Sequence, residues 1–412
     1  MLVEISIENF LSIKDEVTLS MVASKDKSFM DNTIKSKPLK KDRLLRSAAI
    51  YGANASGKSN VLKALSYIKR LVQTSHNYQS DTKIKYSPFK LDKKCRNKPS
   101  KFQIIFIKND IKYIYGLSVT DVKVVDEYLY YYPGGRKSQI FDRKDTTTFT
   151  FKVDKKDQDF FADKTLGNVL YLSRATQLNY NRTKEAYNWF IENLMTVSPD
   201  NPRLQELSIN LLNDNNTKDL IRNAMIRADV GIEEINARII KFNYDQLPSD
   251  IPENLKKLMA EPDVTWMTPE IKTIHKGVSF DFSEESEGTI RVFDIIGCWI
   301  KALKDGKVLV VDELEIKLHP HLCSYLVTLF HDSSQNKNNA QLIFSTHNVY
   351  LLEQDIFRRD QIWFTEKIPE TGQTDLYSLW EFSPRKDKNL KIGYLTGRYG
   401  ALPFIQNKGL IS

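Results

Sequence analysis

The sequence contains few cysteines, no long apolar run and no recognisable export signal. Its three cysteines are odd in number and scattered among 412 residues, which excludes a disulfide framework and favours a reducing compartment. No stretch of roughly 18 apolar residues occurs, and no basic segment precedes an apolar one at the N-terminus. We therefore expect a cytoplasmic protein that neither spans a membrane nor is secreted.

Sustained heptads, internal repeats and low-complexity tracts are also absent, which excludes a long coiled coil and a repeat protein. The content of 41% hydrophobic and 27% charged residues predicts a sizeable core and excludes a disordered chain. The net charge of +8 is concentrated locally, because residues 51–100 hold 11 Lys and Arg against 2 Asp and Glu. A polyanionic ligand for that segment is therefore one interpretation.

The hydrophobic pattern predicts an α/β fold. Residues 1–20 alternate as two strands, and residues 102–132 alternate as an antiparallel meander. Helical spacing dominates from about residue 155 to 265, including Ala186, Trp189, Phe190 and Leu194. After Phe280, strands and helices alternate, which indicates a layer of parallel strands.

A phosphate-binding loop is the strongest local motif. It fits G-x-x-x-x-G-K-[ST] and lies between the apolar run ending at Tyr51 and a helical pattern, as such a loop requires. Backbone N–H groups and the following helix N-terminus would bind phosphates, Lys58 would contact the β and γ phosphates, and Ser59 would bind Mg²⁺. The candidate ATP-binding residues are Gly52, Ala53, Asn54, Ala55, Ser56, Gly57, Lys58, Ser59 and Asn60.

A second motif places two carboxylates at the end of an apolar strand. Val308-Leu309-Val310-Val311 precedes Asp312 and Glu313, the Walker B arrangement. Asp312 is a candidate Mg²⁺ ligand, and Glu313 is a candidate catalytic residue that orients or deprotonates water. Because 254 residues separate Lys58 from Asp312, a large insertion must lie between the two motifs.

With these motifs, the chain resembles the ABC-type heads of the SMC and RecF class of AAA ATPases. Ser286-Glu287-Gly288-Thr289 resembles the signature motif, Leu318-His319-Pro320 the D-loop region, and Ser345-Thr346-His347 the switch histidine. The resemblance implies catalytic roles for Lys58, Glu313 and His347. It also implies that Ser286 and Gly288 contact the ATP of a second chain in a head-to-head dimer or larger homo-oligomer.

Within this class, the chain resembles the abortive-infection L first component and the overcoming-lysogenisation-defect-like ATPases. The resemblance includes Pro88-Phe89-Lys90 and the string from Gly397 to Pro403. It implies an ATP-gated sensor in anti-phage defence that controls a separately encoded effector, TOPRIM-like or a nuclease. The residues after His347 contain no Asp-x-Asp pair, so we expect no TOPRIM domain within this chain.

The expected organisation is one ABC-ATPase head interrupted by a helical insertion. Residues 1–153 would form the N-terminal part with the Walker A loop and the meander, residues 154–270 a helical arm, and residues 271–412 the rest of the head. The cofactors would be ATP and Mg²⁺.

Two other functions remain open from the sequence. A RecF-like DNA-binding ATPase in DNA repair or maintenance would use the basic segment 83–101 for DNA contact, although such runs are usually solvated surface. A transporter subunit is disfavoured by the long insertion and by the absence of an assignable Q-loop glutamine, for which Gln103 is the candidate.

Overall fold

Two compact units make up the chain. The computed structural model describes residues 1–198, 204–228, 231–241, 267–353, 355–383 and 389–403. The first unit comprises Met1–Pro199, Lys301–Ile316 and Pro320–Ser412, and the second comprises Asp200–Ile300 and Lys317–His319. The first unit contains two large sheets and the second contains a three-stranded sheet, and each unit has helices.

The regular elements are numbered in chain order. The strands are β1 (Leu2–Glu8), β2 (Val17–Ser20), β3 (Thr33–Lys35), β4 (Arg43–Leu45), β5 (Ser47–Gly52), β6 (Ser100–Lys108), β7 (Ile111–Val119), β8 (Val124–Tyr131), β9 (Ser138–Lys144), β10 (Thr148–Thr150), β11 (Leu194–Val197), β12 (Glu234–Lys241), β13 (Met267–His275), β14 (Val278–Asp281), β15 (Val308–Val311), β16 (Gln341–Ser345), β17 (Ile362–Lys367) and β18 (Thr374–Ser378). The helices are α1 (Lys58–Thr74), α2 (Lys155–Asp163), α3 (Tyr171–Gln177), α4 (Asn181–Asn188), α5 (Leu204–Asn213), α6 (Lys218–Ala228), α7 (Glu287–Asp305), α8 (Pro320–His331) and α9 (Leu390–Leu395).

An antiparallel sheet forms one layer of the first unit. Its seven strands have the order β10-β9-β8-β7-β6-β1-β2. Phe102, Ile104 and Phe106 of β6 are buried at every second position, as expected for a strand with one face on the core. This sheet confirms the meander predicted for residues 102–132.

A largely parallel sheet forms the other layer and carries the motifs. Its order is β11-β15-β16-β5-β17-β18, and only β18 runs antiparallel to its neighbour. Every residue of β5, β15 and β16 is buried, which explains their continuous apolar runs. Because these strands are parallel, their carboxyl ends at Gly52, Val311 and Ser345 meet at one edge. The predicted α/β fold with a mixed sheet and an antiparallel subdomain is confirmed.

The boundaries of the two units differ from those expected for a helical arm at residues 154–270. Residues 154–198 belong to the first unit, where the backbone N–H of Tyr171 donates to the buried Glu127 carboxylate at 2.6 Å. Residues 199–203, 229–230 and 242–266 of the expected arm lie outside the described residues. The described part of the arm range also contains β11, β12 and the start of β13.

Leu194 differs from its predicted helical environment. Helix α4 ends at Asn188, a π-helical turn spans Trp189–Asn193, and Leu194 then begins β11, which pairs in parallel with β15. Trp189 and Phe190 are fully buried against Phe106, with ring centroids at 4.4 and 5.7 Å. The spacing of these apolar residues is compatible both with a continued helix and with the start of a strand. Hydrophobic periodicity alone does not distinguish the two structures.

The second unit combines a three-stranded antiparallel sheet with helices α5 and α6 and much of α7. Its strands have the order β12-β13-β14. Gly297 of α7 lies directly against Ser208 of α5, where its N–H donates to the Ser208 hydroxyl at 3.0 Å. A Cβ at Gly297 would approach that hydroxyl to 2.6 Å, so this helix crossing requires glycine.

The buried His331 should make the protein less stable in mild acid. Burial, together with the nearby Arg46, lowers the pKa of His331 to about 3, and its Nε2 lies 2.8 Å from the Ser47 hydroxyl. Because the unfolded chain binds this proton below its ordinary pKa of about 6.5 and the folded chain does not, stability is lost as pH falls. Between pH 7.5 and 5.5 the expected contribution is about 1.4 kcal/mol. Urea unfolding of wild type and His331→Gln at both pH values measures it, and an equal pH dependence in the two proteins would contradict it.

Candidate functional site

The loop between β5 and α1 has the backbone geometry of a phosphate cradle. Gly52, Ala55 and Gly57 all have positive φ angles, of 157°, 62° and 113°. Helix α1 begins at Lys58, and its N-cap residue Gly57 has no side chain that could cap the first N–H groups. Asn54 and Ala55 are exposed at the loop tip, whereas Ser56, Gly57 and Lys58 are buried at its base. A helix N-terminus with uncapped N–H groups after such a loop is suited to bind an anion.

Lys58 lies inside this loop. Its side chain is only 6% exposed, and its Nζ donates to the carbonyl oxygens of Gly52 at 2.9 Å and Ala53 at 3.0 Å. Burial lowers the pKa of Lys58, while the carboxylates of Glu315, Glu313 and Asp312 oppose this shift. The amino group is thus held where it can reach a phosphate bound by the loop.

Ser59 and Asp312 are joined directly, although 253 residues separate them. The Ser59 hydroxyl donates to Asp312 Oδ1 at 3.0 Å, and the Ser345 hydroxyl donates to the same oxygen at 2.6 Å. A hydroxyl and a carboxylate oxygen are suitable ligands for Mg²⁺, which usually takes only one or two protein ligands beside nucleotide phosphates. Within the described ranges, no group of three or more His, Cys, Asp or Glu side chains could hold a metal alone. The donor set therefore fits Mg²⁺ bound together with a nucleotide.

Glu313 follows Asp312 in an unusual backbone conformation. Its φ is 52°, in the left-handed region, and its N–H donates to the Ser345 hydroxyl at 2.8 Å. The same hydroxyl thereby contacts Asp312 and fixes the start of Glu313. A non-glycine residue at positive φ costs free energy and is frequent at functional sites. The side chain of Glu313 is half-buried.

His347 lies beyond the end of β16, and a third carboxylate holds its backbone. The His347 N–H donates to Glu315 Oε1 at 2.5 Å. Burial, and then the positive charge of Lys58, lower the pKa of His347, while Glu315 and Glu313 oppose the shift. Because the ordinary pKa is already about 6.5, His347 is mainly neutral at neutral pH and can donate or accept one hydrogen bond.

Glu315 is the residue of this site that the sequence interpretation missed. Its Oε2 is buried and has no hydrogen-bond partner among the residues that the structure describes. Among the carboxylates that oppose the lowered pKa of Lys58 and of His347, Glu315 has the largest effect. The available signal was the third acid in Asp312-Glu313-Leu314-Glu315, two positions beyond Glu313.

The predicted signature motif belongs to the second unit and begins a helix as expected. Ser286 precedes α7, and its hydroxyl accepts a hydrogen bond from the Thr289 N–H at 3.1 Å. Ser286 is exposed and Gly288 is half-buried, with the Lys317 carbonyl 3.1 Å from the position of a Cβ at Gly288. This arrangement is an exposed helix N-terminus, and the role of Ser286 and Gly288 in binding nucleotide stays a prediction.

Two further candidates have partners outside the phosphate loop. The Asn60 side chain donates to the Ser12 hydroxyl at 2.7 Å. Gln103 lies on β6, where its side-chain oxygen accepts a hydrogen bond from the Tyr128 hydroxyl at 2.8 Å. The nucleotide role of Asn60 and the Q-loop assignment of Gln103 both stay predictions.

A phosphate loop joined to a Walker B strand across a parallel sheet, with an antiparallel sheet in the same unit, defines a P-loop ATPase head of the ABC type. The family model described as "AAA domain, putative AbiEii toxin, Type IV TA system" matches residues 47–353. The chain belongs to this family.

Several solved structures are similar to the chain. The SMC head domain from Thermotoga maritima is 14% identical over 92% of this chain and 98% of that chain, with a TM-score of 0.40. The Smc head domain with an extended coiled coil bound to the C-terminal domain of ScpA, from Pyrococcus furiosus, is 13% identical over 93% and 97%, with a TM-score of 0.38. The recombination mediator protein RecF with ATP, in the RecFOR pathway, is 15% identical over 92% and 99%, with a TM-score of 0.36. No curated protein matches the chain.

The cysteines and the apolar character of the helices were also predicted from the sequence. All three cysteines are free and buried. Across the described ranges, none of the helices is both long enough and apolar enough to span a bilayer.

Proposed function

We propose that this protein binds ATP with Mg²⁺ and hydrolyses it slowly to ADP and phosphate. The observation that carries the proposal is the hydrogen bond between Ser59 of the phosphate loop and Asp312 of the Walker B strand. It joins the two motifs that phosphoryl-transfer ATPases require, and Glu313 and His347 lie on the adjoining strand ends.

Each residue then has a definite task. The loop N–H groups and Lys58 bind the triphosphate, and Ser59 with Asp312 hold Mg²⁺, which supplies positive charge to the β and γ phosphates. Glu313 orients or deprotonates the attacking water. Neutral His347 hydrogen-bonds the transferring phosphate or the water, held in place by Glu315 through its backbone N–H.

We further propose that two chains form a head-to-head dimer, or a larger oligomer built from such pairs. The support is the exposed N-terminus of α7 at Ser286, whose N–H groups suit the γ-phosphate of an ATP bound by a partner chain. Because each site would need two chains, ATP binding would select the assembled state.

At the level of biology, we propose a cytoplasmic anti-phage defence role as an abortive-infection sensor that controls a separately encoded TOPRIM-like or nuclease effector. The support is that the chain belongs to a family whose description includes the words "putative AbiEii toxin". The second unit, with α5, α6 and the β12–β14 sheet, is our candidate for the arm that senses the trigger or contacts the effector.

Phage challenge of cells that carry this gene with its neighbouring gene tests the defence role. We expect the wild-type pair to lower plaque formation and the pair with Lys58→Ala to give no protection. Removing the neighbouring gene should also abolish protection, because this chain would not act on phage itself. Protection that persists in the Lys58→Ala strain would reject ATP-gated control.

A RecF-like DNA-binding ATPase is the second candidate, and one surface favours it. A groove of about 400 Å³ beside α1 is lined by Lys63, Arg70 and Lys85, none of which forms an ion pair with any described residue. Phosphate backbones bind such cation clusters with steep salt dependence. ATPase stimulation by duplex DNA at 50 mM salt that disappears at 200 mM salt, and is lost in a Lys63→Glu/Arg70→Glu variant, would favour this function; no stimulation would reject it.

A further inference from the structure

The hairpin of β17 and β18 makes hydrogen bonds to the phosphate loop. This hairpin lies C-terminal to residues 47–353, which the family model matches. The Thr374 hydroxyl donates to the Ser56 carbonyl at 2.7 Å and lies 2.6 Å from the Ser12 hydroxyl. Thr374 is 2% exposed. Its hydroxyl is therefore a buried junction between the loop and the turn that follows β1.

The direction of these hydrogen bonds is fixed by counting protons. Thr374 has one hydroxyl proton, which it donates to the Ser56 carbonyl, so Ser12 must donate its own proton to Thr374. Ser12 in turn accepts from the Asn60 amide at 2.7 Å. The result is a continuous chain from Asn60 through Ser12 and Thr374 to the backbone of the phosphate loop.

A second, shorter chain binds the same loop residue. The Ser56 hydroxyl lies 2.7 Å from the Thr365 hydroxyl, and Thr365 donates to the Tyr51 carbonyl at 3.4 Å. By the same count, Ser56 donates to Thr365. Ser56 is thus bound through its carbonyl by β18 and through its side chain by β17.

The hairpin also lies so close to two loop glycines that a Cβ atom at either position would clash with it. A Cβ at Gly57 would lie 2.2 Å from the Thr374 hydroxyl oxygen, and a Cβ at Gly52 would lie 2.5 Å from the Thr365 carbonyl and hydroxyl oxygens. The positive φ angles of both glycines occur at these contacts. The loop is therefore shaped partly by residues more than 300 positions later in the chain.

We propose that Thr374 is a positioning residue for ATP binding, fixing Ser56 and Gly57 so that the loop N–H groups converge on the phosphates. This rests on the proposed ATP site, although the loop geometry itself does not need nucleotide. Thr365 has the same role through the Ser56 side chain. Neither residue contacts the reacting atoms.

Thr374→Val tests this role because it keeps the shape and removes the hydroxyl. Ser12 would lose its acceptor and the Ser56 carbonyl its donor, so we expect the Kd for ATP to rise about 5- to 30-fold. The turnover rate at saturating ATP should change less than about threefold, because Glu313 and His347 are untouched. Amide hydrogen exchange of the 52–58 loop in nucleotide-free protein should accelerate about fivefold or more.

Two variants control for simple destabilisation. Thr374→Ser restores the hydroxyl and should return affinity and exchange towards wild type. Thr183→Val removes an equally buried hydroxyl that accepts from Thr176 and donates to the Tyr180 carbonyl, at 2.9 Å each, far along the chain from the loop. It should change neither readout.

The outcomes separate the two proposals. Wild-type loop exchange in Thr374→Val, failure of Thr374→Ser to rescue it, or an equal effect of Thr183→Val would each overturn the role of Thr374. A wild-type protein that does not bind ATP would instead overturn the proposed function, while loop exchange would still decide whether Thr374 fixes the loop.

Discussion

A Glu313→Gln variant is expected to hydrolyse ATP at least about a hundredfold more slowly than wild type, because a carboxamide cannot accept a proton from water. Its affinity for ATP should remain within about threefold, since Glu313 contacts the Ser345 hydroxyl only through its backbone N–H. Phosphate release and equilibrium ATP binding measure the two quantities separately.

The matched control for this variant is Glu370→Gln, which neutralises an exposed carboxylate after β17. It should hydrolyse ATP at the wild-type rate. A Glu313→Gln protein that retains more than about a third of wild-type turnover would remove Glu313 from the proposed chemistry.

Markedly weaker ATP binding is the result expected for Lys58→Ala. The variant lacks the buried amino group that lies beside the loop carbonyls and would offset the negative charge of the phosphates. Removing a charge-assisted hydrogen bond of this kind lowers affinity by about 10- to 100-fold. Equilibrium binding of ATP with Mg²⁺ measures the effect directly.

Lys63→Ala is the control for Lys58→Ala, because Lys63 lies on the same helix and is exposed. It should bind ATP as wild type does. If Lys58→Ala also binds ATP within threefold of wild type, the loop does not hold the triphosphate in the proposed way.

The parts of this site that sequence could predict are those encoded by contiguous residues. The phosphate loop, the Walker B pair and His347 each follow an apolar strand, and parallel strands bring their carboxyl ends to one edge. Their convergence therefore follows from strand polarity alone.

The parts that sequence could not predict depend on long-range contacts between unremarkable residues. Thr374 and Ser56 are 318 positions apart, and neither a single threonine nor a single serine forms a pattern. Glu315 was visible only as an additional acid, and its contact with the His347 backbone requires the register of β15 and β16. Leu194 fits the helical spacing of Trp189 and Phe190, but those two residues lie in a π-helical turn, where Trp189 packs on Phe106, and the strand begins at Leu194.

Unit boundaries were hard to predict for a related reason. A sequence interpretation divides the chain into consecutive segments, whereas the first unit is completed by Lys301–Ile316 and by the chain from Pro320 onwards. Strand β11 joins the main sheet beside β15, so part of the expected arm belongs to the sheet that carries the site. No local change of composition marks that return.

The central claim is that each ATP site needs two chains, and complementation tests it most directly. Lys58→Ala and Ser286→Arg variants, each nearly inactive alone, would be co-expressed in equal amounts and purified together without separating mixed from unmixed pairs. In a two-fold dimer, half of the pairs are mixed and each mixed pair has one intact site, so about a quarter of wild-type ATPase activity should return. Activity no higher than the sum of the two variants alone would contradict the shared site.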